Sequence, residues 1–232
     1  MTSTRSSAVV TGAGSGIGRA IAVALGRRGH SLLLIGRHRA LLEESLAEAG
    51  GGGRVAVVDV RDPEAVRSAI AQAKANGLSP PIAIPAAGVA RVGPFEELSD
   101  DDLRESVETN LLGALHLYRA VLPAARASEG HLFAILSAAA LRVFPWWTAY
   151  CASKWALRGA FEALREELKG SGVRLTAIYP GATATPLWDQ VPGPWDRSAM
   201  IAPEEIAKAV VWALDSEVSV PEIHLQPPGG DL

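Results

Sequence analysis

The sequence predicts an α/β fold in which about seven parallel strands form a doubly wound sheet with helices on both faces. Apolar runs of strand length alternate with longer amphipathic stretches along all 232 residues, an order of elements that produces a parallel sheet. Several of the short runs, such as LLLI and LFAIL, are continuously apolar rather than alternating. Strands of that kind are typically buried on both faces, with helices on either side.

The elements can be placed in order along the chain. The apolar runs predict seven strands, at residues 8–11, 31–35, 54–58, 81–85, 131–137, 173–179 and 222–225. The amphipathic stretches between them predict six helices, at residues 17–28, 39–49, 63–76, 100–125, 150–169 and 203–215. Asp62 followed by Pro63 is typical of an N-cap and the first residue of a helix. This pair agrees with a helix that begins at residue 63.

The predicted elements follow one another without a break. The sequence contains no repeat, linker or charge block that would separate a second domain, so we expect one domain over residues 1–232. Residues 186–203, between the sixth strand and the last helix, are rich in Pro, Gly and Trp. Ligands bind beyond the carboxyl ends of the strands in an open α/β sheet. We therefore expect this segment to be a loop that forms a lid over the site.

The composition argues against several classes of function. A net charge of −3 gives no electrostatic reason to bind nucleic acid or an anionic membrane surface. No apolar run approaches the roughly 20 residues of a membrane span, and MTSTRSS leads directly into the first strand without a signal peptide. The single cysteine excludes an internal disulfide, and the five histidines lack metal-ligand spacing. We therefore expect a cytoplasmic protein without a metal.

A glycine-rich turn, TGAGSGIG at residues 11–18, connects the first strand to the first helix. Gly12 permits a tight turn, Gly16 lets the backbone approach a pyrophosphate, and Gly18 allows the helix to pack closely on the sheet. Ser15 and Ile17 lie in the same turn, where the first N–H groups of the helix are free to bind phosphate. The alternative is a purely structural turn. Its position at the first strand–helix junction favours a dinucleotide site in a Rossmann-type fold.

The spacing Thr-Gly-(x)3-Gly-x-Gly resembles the glycine motif of the short-chain dehydrogenase/reductase family, and the resemblance extends over essentially the whole chain. It implies an oxidoreductase that transfers a hydride between a nicotinamide dinucleotide and a carbonyl or secondary alcohol. It also implies that further residues contact the cofactor. These lie near its adenine, on the loop after the fourth strand and beside the nicotinamide, and they are Asp59, Val60, Ala87, Gly88, Pro180, Gly181, Thr183 and Thr185.

The segment Pro85-Ala86-Ala87-Gly88 departs from the family, which usually has Asn-Asn-Ala-Gly or Asn-Ala-Ala-Gly at this place. Proline has no N–H and a fixed φ, so the first position cannot make the same contacts. Either Pro85 only ends a buried strand, or this chain has lost a contact to the cofactor that its relatives keep.

The residues after the second strand predict which cofactor is used. An acidic residue there would bind the ribose 2′-hydroxyl of NAD and repel a 2′-phosphate, but this chain has Gly36 followed by Arg37. The planar guanidinium of Arg37 suits a phosphate. Arg39 is a second candidate for the same phosphate, or only a solvated side chain. The pattern favours NADP(H) over NAD(H).

Tyr150 and Lys154 lie four residues apart and share one face of a predicted helix. The pKa of a free tyrosine is near 10, which is too high for acid–base catalysis at neutral pH. A lysine ammonium beside it, together with the charge of an oxidised nicotinamide, would lower that pKa. The alternative is an amphipathic helix that carries this pair by chance.

Two further residues complete the set that the resemblance implies. Ser137 ends the apolar strand LFAILS, where a family serine binds the substrate oxygen beside the tyrosine. Asn110 lies in an apolar helical run, and it resembles the family asparagine that binds a water connected to the lysine. A buried amide requires hydrogen-bond partners. The predicted catalytic residues are therefore Asn110, Ser137, Tyr150 and Lys154.

The sequence predicts the reaction type in more detail than it predicts the substrate. The expected pocket wall at residues 141–148 and the lid segment together contain four of the six tryptophans. They indicate an apolar or aromatic ketone, unless these rings only pack against each other or at a subunit contact. Arg142 and Arg197 are candidates for binding a substrate carboxylate, or are solvated surface residues.

Two other functional classes stay open. The chain could be a non-catalytic NADP(H) sensor or scaffold, although it retains the tyrosine and the lysine that such relatives lose. It could also be an epimerase or dehydratase of the same fold, although those usually have a larger substrate domain. Relatives commonly pair through the helices near residues 100–125 and 150–169, so the resemblance implies a homodimer or homotetramer.

Overall fold

The computed structural model describes residues 6–230 and contains one parallel sheet of seven strands. The strands are β1 to β7 in chain order: Ser7–Thr11, Ser31–Gly36, Gly53–Val57, Ile82–Pro85, His131–Ile135, Arg174–Pro180 and Glu222–Leu225. Their order in the sheet is β3-β2-β1-β4-β5-β6-β7. The predicted fold class, a doubly wound parallel sheet, is therefore confirmed.

Within residues 6–230, seven α-helices connect or flank these strands. They are α1 to α7 in chain order: Gly16–Arg27, Arg39–Glu48, Pro63–Ala75, Asp100–Val107, Gly113–Ala127, Thr148–Glu167 and Pro203–Asp215. The helix predicted to begin at residue 63 does so, because the Asp62 carboxylate accepts the N–H groups of Glu64 and Ala65. No helix in the described part of the chain is long and apolar enough to cross a bilayer.

The helices cover both faces of the sheet and form a separate core on each. On one face, side chains of α3, α5 and α6 pack against the strands, as Leu117 and Phe161 do. On the other face, α1, α2 and α7 do the same, through residues such as Ile21, Leu42 and Val210. The continuously apolar strands are buried as predicted. The edge strands β3 and β7 are more exposed, because each has only one neighbour in the sheet.

The strand order reverses between β1 and β4, and this reversal places the ligand site. Val9 pairs with Leu33 of β2 on one side and with Ala83 of β4 on the other. The connections leave β1 and β4 in opposite directions, which opens a crevice at the carboxyl ends of these two strands. The glycine-rich turn after Thr11 and the loop after Pro85 both lie at this crevice.

The predicted helix at residues 100–125 is divided into two. A π-helical segment, Glu108–Leu112, separates α4 from α5, and α5 continues to Ala127. Periodicity predicted one helix because α4, this segment and α5 follow each other without a gap. A π-helical turn adds a residue and is frequently found at functional sites. Asn110 lies in the middle of it.

The lid segment, residues 186–203, has more regular structure than a plain loop. It begins with a 3₁₀ turn, Pro186–Gln190, and contains a second one, Arg197–Ala199. A bridge between Thr183 and Ile201 closes the segment at its base. The lid therefore starts and ends at neighbouring points beside the carboxyl end of β6.

Candidate active site

The glycine-rich turn has the geometry that its spacing predicts. Gly12 has a φ of +63°, and a Cβ there would lie 2.7 Å from the Cα of Ala87. A Cβ on Gly18 would lie 2.3 Å from the Gly12 carbonyl oxygen, so α1 packs against the turn at this point. Gly16 has a φ of +51° and faces Thr185. Side chains at these positions would push the turn away from the loop after β4 or from the lid.

A cavity of about 280 Å³ extends from this turn along the carboxyl ends of the strands. The N-terminus of α1 faces it, and the Ser15 side chain does not cap that helix. The first N–H groups of α1 therefore remain available to an anion. Most of the predicted cofactor residues line the cavity: Gly12, Ser15, Gly16, Ile17, Arg37, Asp59, Val60, Ala87, Gly88, Tyr150, Lys154 and Thr185. These features fit a dinucleotide whose pyrophosphate lies on the glycine turn.

The far end of this cavity is cationic. Arg37 lines it with an exposed side chain, and within residues 6–230 it has no ion-pair or hydrogen-bond partner. His38 lines the same end, which the sequence did not predict. Arg39 pairs with Glu43 at 3.4 Å and is not among the lining residues, so the prediction of Arg39 as a second phosphate contact is not supported.

Asp59 lies in the cavity wall as the resemblance implies, but its carboxylate already has a partner. The Arg61 guanidinium donates to both oxygens of Asp59, at 2.6 Å for Nη2 to Oδ2. This hydrogen bond is the main reason that the pKa of Asp59 is lowered, with a smaller contribution from Arg37. Asp59 is the only carboxylate lining the cavity within residues 6–230. The Arg61 guanidinium thus neutralises the Asp59 carboxylate, and the guanidinium of Arg37 remains able to bind an anionic ligand.

Pro85 is the buried last residue of β4 and pairs with Thr11. The connection to the next strand continues through residues with an N–H, since Ala86 donates to the Thr11 carbonyl and Ala87 to the Thr11 hydroxyl. Pro85 itself is not among the residues lining the cofactor cavity, whereas Ala86, Ala87 and Gly88 are. The geometry agrees with a proline that ends a buried strand.

Tyr150 lies in the first turn of α6 and lines both this cavity and a second one beside it. Its side chain is buried. Burial raises the pKa of Tyr150 to about 12, and a hydrogen bond with Ser137 lowers it in part. The sequence predicted a lowered pKa, and the protein alone has the opposite shift. Moving the phenolate out of water raises the pKa of Tyr150 by more than the hydrogen bond with Ser137 lowers it. Tyr150 is therefore fully protonated at neutral pH.

Lys154 is one turn further along α6 and is also buried. Its Nζ donates to the Ile135 carbonyl oxygen at the end of β5, at 2.9 Å, and lies 5.7 Å from the centroid of the Tyr150 ring. Burial lowers the pKa of Lys154 to about 8. The ammonium is thus directed to a backbone oxygen rather than to the phenol. This placement explains why the lysine does not lower the pKa of Tyr150.

Ser137 lies two residues beyond the end of β5 rather than at the end of the strand itself. Its Oγ accepts the Ala139 N–H at 3.1 Å, which caps the 3₁₀ turn Ala138–Ala140. The same side chain forms a hydrogen bond with Tyr150. The serine and the tyrosine are therefore brought together at one end of the second cavity, as predicted.

The Asn110 side chain has three hydrogen bonds within the protein. Its Oδ1 accepts the Val89 N–H at 2.9 Å, and its Nδ2 donates to the Val89 carbonyl at 3.0 Å and to the Ser153 Oγ at 2.9 Å. The amide therefore connects the loop after β4 to the helix that carries Tyr150 and Lys154. A water between Asn110 and Lys154 stays a prediction.

The second cavity has a volume of about 150 Å³ and lies beyond Tyr150. Six residues predicted to contact the cofactor line this cavity: Ile17, Tyr150, Pro180, Gly181, Thr183 and Thr185. Of these, Ile17, Tyr150 and Thr185 also line the first cavity. The shared wall, formed by Ile17, Leu136, Tyr150, Thr185 and Leu187, is where the two cavities meet.

Aromatic rings form one continuous wall of the second cavity. Ring centroids lie 5.4 Å apart for Tyr150 and Trp147, 5.9 Å for Trp147 and Trp188, and 4.9 Å for Trp188 and Trp195. Phe144 extends the wall at 6.3 Å from Trp147. The tryptophans thus pack against each other and line the cavity at the same time, and the ketone that they indicate stays a prediction.

Other candidates from the sequence lie elsewhere or have partners. Trp146 is 66% exposed and does not line the cavity, and its φ of +69° is unusual for a residue with a side chain. Arg197 pairs with Asp189 within the lid and lines neither cavity. Arg142 lines the cavity with its guanidinium 4.9 Å from the centroid of the Phe144 ring.

This combination of fold and site defines a family of oxidoreductases. Residues 6–193 match the short chain dehydrogenase family, which shows that the chain belongs to the short-chain dehydrogenase/reductase family. A sepiapterin reductase from Chlorobaculum tepidum is 35% identical over 237 residues, with 97% of each chain covered. The protein is thus an oxidoreductase of a family that binds a nicotinamide cofactor.

Solved structures agree with this assignment. An alcohol dehydrogenase from the archaeon Thermococcus sibiricus, in complex with 5-hydroxy-NADP, has a TM-score of 0.87 and 31% identity, with 95% of each chain covered. The closed form of a serine dehydrogenase in complex with NADP+ also has a TM-score of 0.87, with 26% identity and coverage of 97% of this chain and 96% of that chain.

The contacts of Asn110 generate a test of its role in stability. Replacing it with Ala leaves the buried N–H and carbonyl of Val89 without a partner, which costs about 1–3 kcal/mol for each unsatisfied group. We expect Asn110→Ala to lower the free energy of unfolding by at least this amount in urea titrations without cofactor. Ser106→Ala is the control, because its hydroxyl donates only to the Asp102 carbonyl of its own helix. An Asn110→Ala variant as stable as wild type would contradict this role of Asn110 in stability.

Proposed function

We propose that this protein reduces a ketone with an apolar or aromatic substituent to a secondary alcohol, using NADPH. One observation carries the proposal: Tyr150 is buried, is protonated at neutral pH, and lies where the two cavities meet. A general acid must reach the substrate oxygen while the carbonyl carbon faces the cofactor. The wall shared by the two cavities is the place where both conditions hold.

The family resemblance assigns roles to Ser137, Tyr150 and Lys154, and the contacts of Asn110 indicate its own. NADPH, when bound, supplies the hydride to the carbonyl carbon and is oxidised to NADP+. Tyr150 donates its proton to the carbonyl oxygen, and the Ser137 hydroxyl holds that oxygen beside the phenol. Lys154 binds the ribose next to the nicotinamide and returns a proton toward Tyr150. Asn110 holds the helix of Tyr150 and Lys154 against the loop after β4 through hydrogen bonds to both.

The preference for NADPH rests on the cationic end of the first cavity. Gly36 has no carboxylate to repel a 2′-phosphate, and Arg37 has no partner within the described residues. Asp59 is balanced by Arg61 and does not neutralise Arg37. The two structural relatives described above were solved with NADP or an NADP derivative, which supports the same choice here.

The proposal includes an assembly and a location. Val107, Leu112 and Trp155 are apolar residues on or between α4, α5 and α6, and all three are more than a third exposed. Burial of such residues favours pairing through these helices, in a homodimer or homotetramer. The cytoplasmic location stays a prediction from the sequence. The same holds for the single domain over residues 1–232.

The first test concerns the proton donor. Tyr150→Phe removes only the hydroxyl, so the fold and the dissociation constant for NADPH should be unchanged. Turnover should fall by about a hundredfold or more, because that is the scale of one acid–base group. Steady-state NADPH oxidation with a panel of ketones measures this, and fluorescence titration measures binding. Wild-type protein that binds NADPH tightly and turns over no carbonyl compound would instead indicate a non-catalytic sensor.

A second test uses the pKa of Lys154. Its charged form is the one that binds the ribose, and burial lowers its pKa to about 8. We therefore expect kcat/KM for NADPH to be constant below neutral pH and to fall above about pH 8, tenfold per pH unit. Lys154→Arg keeps its charge at high pH and should remove this fall, even if its activity is lower. A wild-type profile that stays flat to high pH would contradict the role of Lys154.

A third test concerns coenzyme choice. A charge-assisted hydrogen bond contributes about 1.5–3 kcal/mol, so wild type should prefer NADPH to NADH by roughly ten- to a hundredfold in kcat/KM. Gly36→Asp combined with Arg37→Ala should reverse this preference, because it removes the phosphate partner and adds a repelling charge. Arg39→Ala is the matched control and should leave the preference unchanged. Equal use of the two cofactors by wild type would show that Arg37 is only a solvated residue.

A further inference from the structure

The second cavity has polar groups at one end and aromatic side chains along its wall. Ser137 and Tyr150 share a hydrogen bond at this cavity, and Tyr150 also lines the first cavity. Arg142, Thr183 and Thr185 line the second cavity as well. The rest of the wall includes Phe144, Trp147, Leu187, Trp188 and Trp195. Within residues 6–230, no carboxylate lines this cavity. A substrate that fits it presents an oxygen at one end and an apolar body to the rings.

Ring contacts with two other tryptophans and a hydrogen bond from its indole N–H hold Trp188 in this wall. Its indole Nε1 donates to the Thr183 carbonyl oxygen at 2.9 Å, and its backbone N–H donates to Thr185 at 3.2 Å. The ring lies between Trp147 and Trp195, with interplanar angles of 66° and 54°. A tryptophan with its N–H satisfied and its ring packed keeps a single orientation. Trp188 therefore presents a fixed aromatic surface to the cavity.

We propose that the substrates are ketones with a single six-membered aromatic ring attached to the carbonyl carbon, and that Trp188 is the residue that selects them. This inference rests on the proposed function and identifies the substrate class of the same site. The ring of the substrate packs on the wall formed by Trp147 and Trp188, while its carbonyl oxygen is held by Ser137 and Tyr150. In the reaction, the carbonyl carbon receives the hydride of NADPH and the oxygen receives the proton of Tyr150, which forms a 1-aryl alcohol and NADP+.

The second cavity is the smaller of the two, at about 150 Å³ against about 280 Å³. Trp188 and Trp195, whose ring centroids lie 4.9 Å apart, form part of its aromatic wall. We expect one ring to pack against them better than a fused two-ring system. The wall also favours a ring that is aromatic. Aromatic pairs in tilted or edge-to-face contact gain about 0.5–1.5 kcal/mol beyond the burial of area.

Three ketones separate ring character from ring size. Acetophenone has one aromatic ring, cyclohexyl methyl ketone has a saturated ring of similar size, and 2-acetylnaphthalene has two fused aromatic rings. The intrinsic reactivity of each ketone is the same with every variant of the protein. Ratios of kcat/KM between two ketones, compared between wild type and variants, therefore report the cavity alone.

The variants change Trp188 in three ways. Trp188→Leu keeps an apolar side chain and removes the ring, so the ratio of acetophenone to cyclohexyl methyl ketone should fall about two- to tenfold. Trp188→Phe keeps a ring without the N–H and should retain this ratio within about twofold. Trp188→Ala opens the wall, so the ratio of 2-acetylnaphthalene to acetophenone should rise about tenfold. Trp212→Leu is the control, since Trp212 is 59% exposed on α7 and lines neither cavity.

The outcomes distinguish this inference from the proposed function. If wild type binds NADPH and reduces no ketone of the wider panel, the proposed function itself is wrong. If it reduces other ketones but none of these three, the substrate class inferred here is wrong. If wild type reduces ketones but both ratios are the same in Trp188→Leu and Trp188→Ala as in wild type, the aromatic selection by Trp188 is wrong. A ratio of 2-acetylnaphthalene to acetophenone that does not rise in Trp188→Ala would overturn the one-ring limit. Opposite shifts of the two ratios cannot result from general damage, which lowers all three rates together.

Discussion

The side-chain amide of Asn110 holds together the three elements from which the site is built. It binds both backbone groups of Val89, on the loop that lines the first cavity, and the hydroxyl of Ser153 on α6. The Ser153 hydroxyl in turn donates to the carbonyl of Tyr150. All of these groups are buried, so each bond that is lost leaves a polar atom without a partner. The π-helical turn between α4 and α5 places the amide at this point. The distance between the loop after β4 and α6 depends on that placement.

Burial is the second condition on which the site depends, and it acts on its two ionisable groups in opposite directions. It raises the pKa of Tyr150 to about 12 and lowers the pKa of Lys154 to about 8. In both cases the neutral form is favoured, because a low-dielectric environment destabilises charge. The protein alone therefore holds a protonated phenol, as a reduction requires. Oxidation of an alcohol would require the phenolate, which the charge of an oxidised nicotinamide would favour.

The first turn of the lid segment, Pro186–Gln190, lines both cavities. Pro186 and Gln190 line the first cavity, Trp188 lines the second, and Leu187 lines both. A 3₁₀ turn has about three residues per turn, so neighbouring side chains point in different directions. One short turn can thus contribute to the walls of both cavities. The indole of Trp188 is bonded to Thr183, which itself bonds to the carbonyl of Gly181 beside β6.

The sequence by itself determined the order of strands and helices, the glycine turn, and the residue types of the catalytic set. These follow from periodicity and spacing, because hydrophobic patterns and glycine positions act over a few neighbouring residues. Only the tertiary structure decided the partners of Asn110, the direction of the pKa shift of Tyr150, and the pairing of Arg39 and Arg197 with nearby acids. It also placed Trp188, but not Trp146, in the wall of the second cavity. Burial and hydrogen-bond partners depend on residues that are distant in the sequence, and a local pattern does not contain them.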